Sequence, residues 1–599
     1  MRCPVSAASL GLFALVILSS ACSRKAPEGV ERLAILPVEN LSGDAALDRV
    51  AGAVQQVLTA QIAGDANVHA IPVGSLANAY TARAGRVVHG YLTARGGALR
   101  LAMTVEDLTT HKVVAAPEAS GEIPRQLVVI DTVARRLAPG ARPFSTNDFH
   151  ALHFYTEGTQ NSDIALLEKA IAADPNFGLA YVAVASLLVN QGHRQPAQDV
   201  LRRGLERGAE MAPSERAQLK FADATMKQDP GARAAAAAEL AGTLPSDAAA
   251  AASAGQIAML ARQYRSAVEW YGRALKLEPQ NAELWNQLGY AEAYNRNLEG
   301  ASSALLEYGR RTPGNPNGFD SLGEVHYLLG DFAGAEKYFL EAARMNPKFL
   351  DGAPVWKAAH ARLMTGDIAG ADKIANSYFE LLAKQNDPLV EYRRVYWDYE
   401  AGRHSRALEG TPSGPAAAFL HIQRAIWLLE ADDSAKAREE VKRAIAGSPN
   451  QQARSLALIG AFLTQPPASA AEWKSRADKA FPGGGEDPLP RLATAYALVL
   501  GRHFGAAVPL LTQAVNTTSP LTNGALQFLL GWALVESGKA ADAAPHLATY
   551  PVPQTGIDIF GVLAIPRIFR LQAAVLEQEG KPAEAARRME IFRKLGGGS

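Results

Sequence analysis

Pro245, Pro279, Pro313 and Pro347 stand 34 residues apart without slippage, and Gly255, Gly289 and Gly323 keep the same interval, as do Ala267, Ala301 and Ala335. A chain with such a period folds as an array, each unit burying its apolar surface against the next, because no single compact core repeats in this way. The three residue classes have separate tasks in a pair of antiparallel helices. The glycine lets the first helix touch its neighbour, the alanine sits where the second helix crosses the first, and the proline stops the second helix before the next pair begins. The composition agrees: with 599 residues the chain exceeds what one core fills, and aromatics make up only 7% of it, so helices must approach through small side chains.

The unit with Trp285, Leu288, Gly289, Ala301 and Pro313, and the next with Phe319, Leu322, Gly323, Ala335, Phe339, Ala342 and Pro347, resemble the tetratricopeptide repeat (TPR) in period and pattern. Ala170, Asp174, Pro175, Asn176, Phe177, Ala180 and Tyr181 resemble the join between two such repeats. Where the prolines weaken, a turn glycine followed five residues later by alanine persists: Gly192 and Ala197, Gly330 and Ala335, Gly366 and Ala371, Gly402 and Ala407, Gly501 and Ala506, Gly538 and Ala543, Gly580 and Ala585. Such a glycine can take the left-handed conformation that ends a first helix. The expected fold is therefore mainly α, a TPR-type solenoid of about ten to eleven helix pairs over 147–595, clearest over 248–349. Irregular stretches fall at 466–490 and 549–566, and a flexible tail at 596–599.

Before the array, Leu33 to Val38 and Asn67 to Val73 read as strands flanking a helix whose Leu47, Val50, Val54, Leu58 and Ile62 share one face. Val87 to Thr93 predicts another strand, and Gly96 and Gly97 a hairpin turn into a strand in which Leu99, Leu101, Met103 and Val105 alternate with Arg100, Ala102, Thr104 and Glu106. A further strand near Val113 and a helix from Arg125 to Leu137 complete a small α/β domain over 31–142. The stretches AILPVENLSGD (Ala34 to Asp44) and GYLTARGGALRLAMTVED (Gly90 to Asp107) resemble the TolB-like domain that bacteria place ahead of TPR arrays. That resemblance implies an interaction or sensing module and brings no catalytic residues. The Asn40 to Asp44 loop lacks phosphate-loop glycine spacing and reads as a turn with Ser42 or Asp44 capping the first helix.

The chain opens with Met1 and Arg2, an apolar run from Leu10 to Leu18, and small residues Ser19, Ser20 and Ala21 directly before Cys22. This resembles a bacterial lipoprotein signal: residues 1–21 as signal peptide, Cys22 as the lipidated residue, 22–30 as a linker from the membrane. An ordinary secretory signal or an uncleaved anchor are the alternatives. The two cysteines, Cys3 and Cys22, both lie in this leader, so cleavage before Cys22 leaves a mature chain with a thiol only at the lipidation point. Ser23 resembles the outer-membrane sorting class, which implies a lipid-anchored protein facing the periplasm.

No motif for nucleophilic, zinc or phosphate chemistry occurs, and the cysteine distribution excludes thiol catalysis from the mature chain. His150 and His153 are the close histidine pair, without a carboxylate at ligand spacing, and read as polar residues on an early helix. Asp432 and Asp433 before Ser434 read as a helix cap. Lys plus Arg and Asp plus Glu each number 60, which leaves no net charge with which to hold nucleic acid. The expectation is a non-enzymatic protein without cofactor or metal and with no evident small-molecule substrate.

In TPR arrays the first helices line the concave groove. Matching the clearest units to that pattern places Gln256, Asn286, Tyr290, Tyr294, Asp320, Glu324 and Tyr327 on the inner surface. Tyrosines beside Asp320 and Glu324 predict a groove for an extended or helical segment carrying basic and apolar side chains. The alternative is that the tyrosines only pack between helices. Two functions follow: a scaffold recruiting partners for envelope assembly, secretion or export, or a sensory adaptor in which the TolB-like domain senses and the array transmits.

Overall fold

The computed structural model describes residues 29–447, 498–517, 524–556 and 564–595, with isolated positions between 460 and 496. The expected signal peptide, Cys22, the linker up to residue 28, most of 466–490 and the tail at 596–599 lie outside the described residues.

The amino-terminal unit runs β1 (Glu31–Ile35), β2 (Glu39–Asn40), α1 (Asp48–Ile62), β3 (Val68–Pro72), α2 (Leu76–Thr81), β4 (Arg86–Arg95), β5 (Ala98–Asp107), β6 (Lys112–Ala115), β7 (Glu118–Glu122) and α3 (Gln126–Leu137). The sheet order is β3-β1-β4-β5-β6, with β2 paired to β4 and β7 to β5. β1 is parallel to both of its neighbours, while β4 and β5 form a hairpin from Arg86 opposite Asp107 to Arg95 opposite Ala98. Gly96 and Gly97 have φ of 57° and 77°, the backbone a two-residue hairpin turn requires. Leu99, Leu101, Met103 and Val105 of β5 are buried, and with the expected face of α1 and with α3 they make the domain core.

Two readings need correction, and one strand has no signal in the sequence. β1 ends at Ile35 and not at Val38. β7 has no apolar alternation to announce it and exists because it pairs with β5 from Ala98 opposite Glu122 to Ala102 opposite Glu118. Leu47, not Ser42 or Asp44, stands at the N-cap of α1, because Ser42 N donates to Asn40 Oδ1 (3.0 Å) and Asp44 N to Ser42 Oγ (3.1 Å), and these bonds close the loop on itself.

From Phe149 the described residues form an α-solenoid of antiparallel helix pairs, preceded by the small sheet unit, and the array agrees with the period. The central pairs are Ala282–Tyr294 with Leu298–Arg311, Asn317–Leu328 with Phe332–Met345, Ala353–Leu363 with Ile368–Lys384, and Val390–Glu400 with His404–Leu408. Ala267, Ala301 and Ala335 have no exposed surface, and a Cβ on Gly289 would lie 2.6 Å from Leu305 Cγ of the paired helix. Close packing thus explains both periodic classes. Asp433 accepts from Lys436 N at 3.0 Å, the cap expected there.

Six of the turn glycines, Gly192, Gly330, Gly366, Gly402, Gly538 and Gly580, have φ between 73° and 84°. Arg262, Arg296 and Asp432 take the same left-handed backbone five residues before Ala267, Ala301 and Ala437. The conformation is the constant feature, and glycine is its cheapest occupant. The pairing of Gly501 with Ala506 is off by one: Arg502 is left-handed (φ 60°) and Ala507 is fully buried, since His503 N donating to Leu498 O at 2.7 Å ends that helix a residue later.

The sheet unit docks on the joins between early pairs. His69 Nδ1 donates to Ser246 O at 2.7 Å, Ser246 N to Ala63 O at 3.3 Å, Arg142 Nη1 to Ser214 Oγ at 2.5 Å, and Arg32 Nη1 to Leu277 O. No described helix is long and apolar enough to cross a membrane.

Candidate interaction face of the first helices

The first helices of the central pairs bring Tyr290, Tyr294, Asp320, Glu324 and Tyr327 onto one continuous face, and their neighbours decide what that face can do. Tyr290 Oη donates to Glu324 Oε2 at 2.5 Å and accepts from Ser321 Oγ at 3.3 Å. Glu324 Oε1 and Asp320 Oδ2 accept from Lys357 Nζ at 2.6 Å and 2.8 Å. Asp320 and Lys357 are buried, at 3% and 6% exposure, and the ammonium also lies 5.5 Å from the Phe339 ring centroid. The carboxylates expected to form an exposed acidic ledge are therefore consumed inside the array, because the next first helix supplies a lysine one repeat further on. Tyr327, at 1% exposure, packs edge-on against Phe332 with centroids 5.3 Å apart, and Tyr294 stacks on Tyr264 at 5.3 Å. These tyrosines pack between helices. Gln256 is exposed, and Asn286 is half-buried, with its Oδ1 buried and lacking a hydrogen-bond partner.

Burial shapes the ionisation of this network. It raises Asp320 from the ordinary carboxylate value to about 6, against the pull of Lys357 and with the help of Glu324. Burial alone would lower Lys357, but Glu324 and Asp320 together raise it. With both carboxylates ionised the cluster holds one uncompensated negative charge in a dry place, and protonating Asp320 removes it. The Tyr290 hydroxyl is held far above its usual value by burial and by Glu324. A network poised like this stores a charge pair; it presents no nucleophile to solvent. Among the described residues no cluster of His, Cys, Asp or Glu could hold a metal ion.

Lys357 belongs to none of the periodic residue classes. Its spacing was available: it follows Glu324 by 33 residues, close to one period, on the next first helix.

The same face is already covered along part of its length. Residues 548–555, after the helix Ala540–Leu547, run without regular secondary structure across the first helices in array order. Arg296 Nη1 donates to Ala548 O, Tyr550 N donates to Leu328 O at 3.0 Å, Trp356 Nε1 donates to Gln554 O at 3.1 Å, and Arg393 Nε and Nη2 donate to Thr555 O at 3.1 Å and 2.9 Å. Pro551 to Gln554 lie over Tyr327, Trp356, His360, Tyr396 and Glu400. Tyr550 is buried between Phe332 and Phe569, with centroids at 5.0 Å and 5.9 Å; its hydroxyl donates to Gln572 Oε1 at 2.8 Å and accepts from Arg588 at 2.7 Å. Arg262 Nη2 likewise donates to Val515 O at 2.6 Å. The carboxy-terminal pairs thus fold back on the turns of the central ones.

Comparison with known proteins agrees with the repeat reading. The family description TPR repeat matches residues 259–293, and the description tetratricopeptide repeat matches 319–349. A 99-residue stretch is 30% identical to the general transcriptional corepressor ssn6 of Schizosaccharomyces pombe, covering 16% of this chain and 9% of that one, so the chain spans less than a tenth of this curated relative. Among solved structures, YrrB, described as a TPR protein with an unusual peptide-binding site, is 17% identical over 31% of this chain and 94% of its own, with a TM-score of 0.26. The structure of Naa15/Naa10 bound to HypK-THB is 14% identical over 74% of this chain and 67% of its own, with a TM-score of 0.31. Residues 259–293 and 319–349 of this chain are tetratricopeptide repeats.

Proposed function

We propose that this protein is a non-enzymatic interaction scaffold that holds an extended polypeptide segment on its first-helix face. The observation that carries the reading is the row of side-chain donors on consecutive first helices, Trp356 and Arg393, with Arg296 just after another, each aimed at a main-chain carbonyl of the irregular segment 548–555. Donors that read backbone suit recruitment of a peptide, and TPR repeats elsewhere in nature serve as such scaffolds. Because Asp320 and Glu324 turn inward to Lys357 instead of forming an exposed acidic ledge, the partner need not be basic; apolar and proline-containing character matters more.

The scaffold is anchored at the bacterial envelope through acylated Cys22, facing the periplasm from the outer membrane, and its partners belong to envelope assembly, secretion or export. The leader supports this placement. Crosslinking and pull-down from native membranes tests it: a partner captured by the wild type and lost with Trp356→Phe combined with Arg393→Ala supports the reading, and equal capture by both sinks it. Cys22→Ala should release the protein from membranes, and palmitate incorporation surviving that change would overturn the anchor.

The sensory alternative has one observation in its favour. His69 and Arg32 of the sheet unit bond directly to backbone carbonyls at the joins of the array, so movement in one part would reach the other.

A further inference from the structure

We propose that residues 548–555 are a built-in competitor that occupies the partner site, so that an extended segment of similar chemistry, an aromatic residue followed by Pro-x-Pro, binds by displacing it. This deepens the scaffold reading and rests on it. The segment reads Ala-Thr-Tyr-Pro-Val-Pro-Gln-Thr. Pro551 and Pro553 lack N–H donors and favour the polyproline conformation, so the segment offers mainly carbonyls, and the array supplies donors to three of them from Arg296, Trp356 and Arg393. The one backbone donor used toward the array, Tyr550 N, meets the carbonyl of Leu328 at the end of a first helix, where helices leave carbonyls unsatisfied.

Nearly all of these bonds reach main chain, which any extended peptide provides. The sequence-dependent contact is Tyr550, whose ring needs Gly330: a Cβ there would stand 3.0 Å from the ring. Beside this tyrosine a cavity of about 400 Å³, lined by Tyr264, Tyr294, Arg296, Gln527 and Val552, leaves room for side chains bulkier than the resident ones. The occupant is part of the same chain, so it competes at the high effective concentration of a tethered ligand. A partner must exceed that, or the tether must loosen.

The test uses the full chain and a labelled synthetic peptide of residues 546–557, with binding followed by fluorescence anisotropy. Wild type should bind weakly. Pro551→Gly with Pro553→Gly loosens the resident segment without removing a side-chain donor, and binding of the unchanged peptide should tighten about tenfold. Adding Trp356→Phe should reverse the gain. Should the double glycine variant fold poorly, hydrogen exchange on the wild type gives the same answer: excess peptide should accelerate exchange of the Tyr550 amide, which loses its bond to Leu328. Equal affinity of wild type and the folded variant, or an unchanged Tyr550 amide under saturating peptide, would overturn the proposal. The two readings separate cleanly. A membrane partner captured equally by wild type and the glycine variant leaves the scaffold standing and removes the competitor, whereas peptide displacement without any captured partner does the reverse.

Discussion

The ammonium of Lys357 stands 2.8 Å from the Asp320 carboxylate, and both side chains are almost wholly removed from water. A buried pair of this kind contributes little over an apolar substitute, but removing one partner strands the other. Lys357→Ala leaves Asp320 and Glu324 together without a counter-charge and should cost about 3–5 kcal/mol. Urea unfolding monitored by circular dichroism checks this. A loss below about 1 kcal/mol would mean the carboxylates find solvent, which their burial contradicts. Reversing Asp320 and Glu324 to Lys should for the same reason unfold the central pairs.

The pH dependence of this cluster has a definite sign. The folded state raises Asp320 to about 6 from an ordinary value of 3.8, so the native protein binds the proton more tightly. Its stability contribution is full below the unfolded value and is lost as pH rises from about 4 to about 6, by up to about 3 kcal/mol. Asp320→Asn mimics the protonated form and should flatten this part of the profile. Melting temperatures of both proteins between pH 4 and pH 7 provide the comparison, and parallel profiles would refute the assignment.

Ala301 is fully buried where its helix crosses the one before it. Ala301→Leu should overpack that crossing and destabilise the array by about 1–3 kcal/mol. Thermal unfolding of the variant decides the matter; an unchanged midpoint would show the crossing to be loose.

Arg502 holds a left-handed backbone on an exposed turn, 3.9 Å from Asp432. Replacing it with glycine relieves the Cβ clash but frees the unfolded chain, leaving a net gain of roughly 0.5 kcal/mol. Gly501→Ala, at a position without that constraint, should not destabilise the turn. A larger loss from Gly501→Ala than gain from Arg502→Gly would make Gly501 the turn residue.

Much of this architecture was legible in the chain because it depends on neighbours in sequence. Helix length, the crossing at Ala267, Ala301 and Ala335, and the left-handed turns follow from local propensity and close packing at a fixed interval, and so does the hairpin at Gly96 and Gly97. The placing of Tyr290, Asp320 and Glu324 on first helices was read the same way. Their partners were not. Whether a carboxylate on a repeat faces solvent depends on the neighbouring helix and on the curvature summed over several pairs, and Lys357 converts the expected acidic ledge into a buried ion pair. β7 escaped notice because pairing with β5, not its own pattern, makes it a strand. Residues 549–566 read as an irregular stretch. Only the path that carries the last pairs back over the turns at Arg262, Arg296 and Gly330 lays that stretch on the face where a partner is proposed to bind. Local rules set each unit of this protein, and the accumulated rotation between units decides what each exposed surface meets.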